Sequence, residues 1–153
     1  MQSNTKNQFS TARGFSLIEV VTALSCAVSL FILAAPNVAR IHREWALFGA
    51  VRSLECSMHW GKMQAIAQNS AMLFDINKDD GTFCWIDPAN DEPFRESTRH
   101  LPPGVVFAGF PKRSLRFYQH GNAAPAGTFT LTSAAGSYSV IVSPGGRIRM
   151  RKN

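Results

Sequence analysis

Apolar and polar positions divide the chain into three stretches with different periods. From Val20 to Ala35 the residues are apolar apart from Thr22, Ser25 and Ser29. Counted from Phe15, this run gives 21 residues, and at about 1.5 Å per residue a helix of that length crosses a roughly 30 Å hydrocarbon core once. Pro36 lies where the run ends, and a proline there removes a helix hydrogen bond and bends the axis. Beyond it, Leu47, Val51, Leu54, Met58, Gly61 and Ala65 recur at spacings of three and four. That spacing is one face of an amphipathic helix over about 37–69. Gly61 and Ala65 are small enough to let a sheet approach this face closely, while Arg43, Arg52 and Lys62 point elsewhere.

After about Asn69 the period shortens, and Gly, Pro and Asn punctuate β-rich runs. The predicted strands are Ala71–Ile76, Thr82–Ile86, Val105–Phe110, Leu115–Tyr118, Thr128–Thr132, Tyr138–Val142 and Arg147–Arg151. Asn77 to Gly81 reads as a hairpin turn and Asp87 to Pro103 as a long polar loop. The expected class is α+β, a long N-terminal helix laid against a small antiparallel sheet over about 70–153.

One residue interrupts the apolar pattern. Glu19 opens the lipid-compatible stretch, and an acidic residue at a bilayer centre costs roughly 2.5–3.5 kcal/mol, so such residues usually have a partner and a role. The leader before it carries Lys6 and Arg13 and no acid, and it runs into Arg13-Gly14-Phe15-Ser16-Leu17-Ile18-Glu19. This segment resembles the processing site of type IV pilins and type II secretion pseudopilins. The resemblance implies that a prepilin peptidase cuts after Gly14 and methylates the new amino terminus at Phe15. It further implies that Glu19 neutralises the Phe15 ammonium of a neighbouring subunit during filament assembly. A secretory signal peptide shares the basic start and apolar core, with Leu33-Ala34-Ala35 imitating its cleavage site, but Glu19 would interrupt such a core. The expected organisation is a leader over 1–14, a transmembrane and assembly helix over 15–36, and a pilin-like periplasmic head over 37–153.

Charge placement points to the far end of the chain. The formal charge is +6, and loss of Lys6 and Arg13 with the leader leaves +4. From Leu101 to Asn153 there are seven cations, Lys112, Arg113, Arg116, Arg147, Arg149, Arg151 and Lys152, and no Asp or Glu. Ala71 to His100 instead holds seven acids against three bases. A half of one sign suits a polyanion or an acidic protein surface.

The same half extends the resemblance. Phe117-Tyr118-Gln119-His120-Gly121, Gly127-Thr128-Phe129-Thr130-Leu131 and Val140-Ile141-Val142-Ser143-Pro144-Gly145-Gly146-Arg147-Ile148-Arg149 are similar to the C-terminal signature of the GspH/FimT family of minor pilins. Gly146-Arg147-Ile148-Arg149 resembles a Gly-Arg-x-Arg element that FimT-type members associate with DNA binding during uptake. Period two puts Arg147, Arg149 and Arg151 on one strand face, about 7 Å apart. The planar guanidinium donates two hydrogen bonds at once, which suits phosphate. Lys112, Arg113 and Arg116 add to the row only if their loop lies beside the last strand. A plainer use of the run is a solvated edge strand whose charge blocks unwanted pairing, and anionic lipid or an acidic pilin neighbour would suit it too.

Remaining chemistry is sparse. Cys26 falls in the membrane span. Cys56 and Cys84 would face the oxidising periplasm, where a Cys56–Cys84 disulfide is open to them, although Cys56 lies about 200° round the helix from Leu54 on the core stripe. The four histidines stand singly, and no zinc spacing, phosphate loop or nucleophile elbow occurs. We therefore read the chain as a substrate of processing enzymes, not an enzyme, and as needing no cofactor. The expected partners are the prepilin peptidase, other major and minor pilins, the inner-membrane assembly platform, the membrane itself in a single pass, and DNA. The first functional expectation is a minor pilin of a type IV pilus that engages incoming DNA in natural transformation. The second is a type II secretion minor pseudopilin with a structural, protein-docking role.

Overall fold

The computed structural model describes residues 16–89 and 92–153. Gly14 and Phe15, the expected processing site, lie outside the described residues. A single helix, α1, runs from Leu17 to Ala67, and the chain divides within it into two compact units, one ending at Val38 and the other spanning Ala39–Asn153.

In the first unit Leu17, Leu24, Leu30 and Phe31 are all exposed, so this part of α1 presents a broad apolar surface. Its hydroxyl residues are satisfied internally. Thr22 Oγ1 donates to the Glu19 carbonyl at 2.9 Å, Ser25 Oγ to Val21 at 2.8 Å and Ser29 Oγ to Ser25 at 2.9 Å. These bonds let the hydroxyls enter an apolar medium without water. Glu19 sits exposed in the first helical turn. Among the described residues no single helix is long and apolar enough to cross a membrane, and Leu17–Ile32 and Asn37–Ala67 meet that test only as a pair.

In the second unit the apolar stripe behaves as its spacing predicts. Leu47, Val51, Leu54, Met58 and Ala65 are buried, and a Cβ placed on Gly61 would collide with the Trp85 ring. Gly61 is thus the point where helix and sheet come closest. Lys62 departs from the expectation that it points away from the core. It is half-buried, because its long stem lies along Gly121 while its ammonium reaches a turn described below.

The strands are β1 Met72–Asn77, β2 Thr82–Asp87, β3 Glu92–Pro93, β4 Arg99–His100, β5 Val106–Gly109, β6 Arg116–Phe117, β7 Ala123–Ala124, β8 Gly127–Ser133, β9 Gly136–Val142 and β10 Ile148–Lys152. They form two antiparallel sheets instead of the one expected. The first has the order β3-β2-β1-β6-β7 with β4 also on β2, and the second the order β10-β9-β8-β5. The division arises because β5 pairs with β8 across an intervening segment, while β6 turns back onto β1 for two residues. Both inner faces close on α1. Phe74, Phe83, Trp85 and Phe117 come from the first sheet, Phe129, Leu131, Val140 and Val142 from the second, and the Phe74 and Phe129 rings join them edge-to-face at 5.6 Å.

The segment after Asp87 is not the open loop that its polarity predicts. It carries β3, β4 and a 3-10 turn at Arg95–Ser97. Buried Ser97 fixes it: its hydroxyl accepts the Trp85 backbone N–H at 2.9 Å and donates to the Phe94 carbonyl at 2.7 Å. Backbone pairing and one serine hold these residues, and neither leaves a hydrophobic period to read.

Candidate nucleic-acid interface

The turn that leads into β10 determines where the arginines stand. Ser143 and Arg147 close it, with the Ser143 N–H donating to the Arg147 carbonyl at 3.0 Å and the Gly146 N–H to the Ser143 carbonyl at 2.9 Å. Gly146 adopts φ +71°, and a Cβ there would run into the Gly121 carbonyl. Glycine is required on both counts. The turn is then pinned from two sides. The Ala123 N–H donates to the Pro144 carbonyl at 2.9 Å, and Lys62 Nζ donates to the Gly146 carbonyl at 3.0 Å.

From that anchor β10 pairs, among the described residues, only with β9, Ile148 opposite Val142 and Lys152 opposite Tyr138, and so forms an edge of the second sheet. Ile148 and Met150 are half-buried against the core, while Arg149 and Arg151 are exposed on the other face. Arg147 is exposed just before the strand begins. Lys152 alternates with Arg151 and so falls on the opposite side, its Nζ 5.8 Å from the centre of the Tyr138 ring. Among the described residues none of the seven cations after Leu101 belongs to an ion pair.

Lys112, Arg113 and Arg116 do not extend the row. They are exposed around an open cleft of about 630 Å³ on the first sheet, with Tyr118 and Pro125 in its walls. Topology nevertheless brings them to the same end of the sheets as Arg147. Gly127, which opens β8, packs against Pro111 and is in register with Val142, the residue that also faces Ile148. One strand separates Gly127 from Ile148, or about 10 Å at the usual strand spacing. Asp75 lines a smaller neighbouring crevice together with Lys112 and Arg113. Phe117 is fully buried, so of the two aromatics in this strand region only half-buried Tyr118 reaches the surface.

Cys56 and Cys84 are both free thiols, and the disulfide open to them is not formed. Cys56 is exposed on α1, whereas Cys84 alternates with buried Phe83 and Trp85 and so projects from the far side of its sheet. Burial, and secondarily the Asp75 carboxylate in register with it, pushes the Cys84 thiol above its ordinary pKa.

Lys62 was not legible as a site residue. Lys62 stands one position from the core stripe at Gly61, and nothing in its spacing reveals a contact with Gly146, 84 positions away.

A long helix closing on antiparallel sheets, with a basic edge strand last, defines a pilin-like α+β protein. The family model described as type II transport protein GspH matches residues 50–146, more than half of the chain, and the chain belongs to this GspH/FimT family of minor pilins and pseudopilins. The fold is similar to that of the type IV minor pilin FimU of Pseudomonas aeruginosa, with a TM-score of 0.58 and 18% identity over 69% of this chain and 87% of that one. It is equally similar to the minor pseudopilin EpsH of the type 2 secretion system of Vibrio cholerae, with a TM-score of 0.58 and 13% identity over 69% and 96% of the two chains. A sequence search among curated proteins finds no match.

Proposed function

We propose that the chain is a minor pilin of a type IV pilus. It is made as a precursor with a leader over 1–14, cut after Gly14 and anchored in the inner membrane by one helix, with its head in the periplasm. Phe15 and Glu19 carry its assembly with other pilins. The basic strand engages the phosphate backbone of incoming DNA without reading its sequence, since phosphate contacts position but do not specify. The observation that carries this reading is the set of exposed Arg147, Arg149 and Arg151 at the start of and along a pinned edge strand, none in an ion pair among the described residues, with no acid anywhere from Leu101 onward.

A second reading has its own support. The matched family model is described as a type II transport protein, which favours a secretion pseudopilin whose head docks other pseudopilins or exported protein. Replacing the chromosomal copy by Arg147→Ala/Arg149→Ala separates the two. Loss of DNA uptake with filaments still assembled supports the first, and unchanged uptake with impaired secretion supports the second.

A further inference from the structure

The three cations that stand apart from the row have a setting of their own. Lys112, Arg113 and Arg116 surround the open cleft of about 630 Å³, and Ser114 and Tyr118 bring hydroxyls to it. Among the described residues no carboxylate lines this cleft, and Asp75 belongs to the crevice beside it. Arg116 alternates with buried Phe117, and Arg149 and Arg151 alternate with Ile148 and Met150, which pack on the core. Both groups therefore stand on the faces that their sheets turn away from α1.

The surface between them is short and uncharged. Pro125 walls the cleft, Ala126 follows, and Gly127 opens β8. β8 and β10 each pair antiparallel with β9, so they run in the same direction. Gly127 and Ile148 both face Val142, which brings Ala126 level with Arg147, two strand spacings or about 10 Å away. One step further along, Thr128 and Ile141 lie level with Arg149, and both are neutral. A single cationic patch would suit carboxylates or phosphates alike. Two patches at a fixed spacing across a neutral saddle suit a ligand that carries two anionic tracks. Duplex DNA is such a ligand, because its two backbones flank a major groove about 12 Å wide. We infer that one duplex is held on both patches at once, one backbone on the row of Arg147, Arg149 and Arg151 and the other over the cleft of Lys112, Arg113 and Arg116. The saddle from Pro125 to Thr128 then faces the major groove. This rests on reading the row as a phosphate contact. The cleft completes the grip and favours a duplex over a single strand, which has one track.

The test uses the full-length protein in detergent micelles and a fluorescent duplex of about 12 base pairs, just over one helical turn, closed at both ends by hairpins. Its affinity is followed across a salt series. Arg113→Ala/Arg116→Ala should flatten the log–log slope by up to about 1.8, as two lost phosphate contacts would, and Arg113→Lys/Arg116→Lys should restore it. Both residues are exposed, so the fold should survive with an unchanged Tm. Stoichiometric titration should give one duplex per protein. An unchanged slope in the cleft variant overturns the inference and leaves the cleft for an acidic protein surface. Two duplexes bound per protein overturn it as well, since the patches would then act separately. Arg147→Ala/Arg149→Ala reports on the reading beneath the inference. A flattened slope there beside a silent cleft variant sinks the bridging alone, whereas an unchanged slope there sinks the row and the bridge together.

Discussion

The Lys62 ammonium on α1 donates a hydrogen bond to the Gly146 carbonyl at 3.0 Å, tying the helix to the turn that launches the basic strand. A charge-assisted bond in a half-buried place is worth more than a surface contact. Lys62→Met keeps the stem and removes the donor. It should cost about 1 kcal/mol, read as a fall of a few degrees in Tm, and it should weaken DNA binding because the turn is no longer held. Gly146→Ala should be more damaging, since it combines a strained positive φ with a clash at Gly121.

Gly61 offers a test of the helix–sheet contact that is independent of the basic strand. Its missing side chain leaves room for the Trp85 indole, which is fully buried and donates from Nε1 to Ser57 Oγ at 3.0 Å. The ring has no free direction to move. Gly61→Ala should therefore destabilise the head by roughly 1–3 kcal/mol, the usual range for overpacking, as measured by denaturant midpoint. An unchanged midpoint would mean that the helix does not sit on Trp85.

The thiols should differ in reactivity. In a Cys26→Ser background, exposed Cys56 should alkylate first. Cys84 should lag because its raised pKa keeps it protonated at mildly alkaline pH. Asp75→Asn removes the secondary cause of that shift and should speed labelling of Cys84. A raised folded-state pKa favours the folded protein below the unfolded thiol value, and the contribution disappears as pH rises through the folded value.

Processing and assembly should separate genetically. Gly14→Glu should block conversion of precursor to mature protein on a gel. Glu19→Ala should allow that conversion yet reduce incorporation into filaments, because it removes the partner proposed for the Phe15 ammonium. Normal maturation of the Gly14 variant would remove the leader assignment.

The long-period features of this fold were legible in sequence because each residue on them answers to one surface. Leu47, Val51, Leu54, Met58 and Ala65 repeat with the helix and are buried as a set, and Ile148 and Met150 alternate with Arg149 and Arg151 as period two requires. What escaped depends on tertiary contact. The strands divide into two sheets through the choice of β8 over β1 as the partner of β5. β3 and β4 are two residues each, too short to show a period. In the site, the spacing of Arg147, Arg149 and Arg151 was visible, but the placement of Lys112, Arg113 and Arg116 on the other sheet was not. Lys62 and Tyr138 meet their partners across gaps that no local pattern spans.

The most direct measurement is duplex DNA binding by the full-length protein in detergent across a salt series, wild type against Arg147→Ala/Arg149→Ala. Phosphate contact predicts that log affinity falls linearly with log salt, with a slope of about −0.9 for each phosphate neutralised. The double substitution should then flatten that slope by up to about 1.8, two contacts' worth. Absence of wild-type binding at low salt, or an identical slope in the variant, would contradict the account and leave the strand as a protein-docking edge.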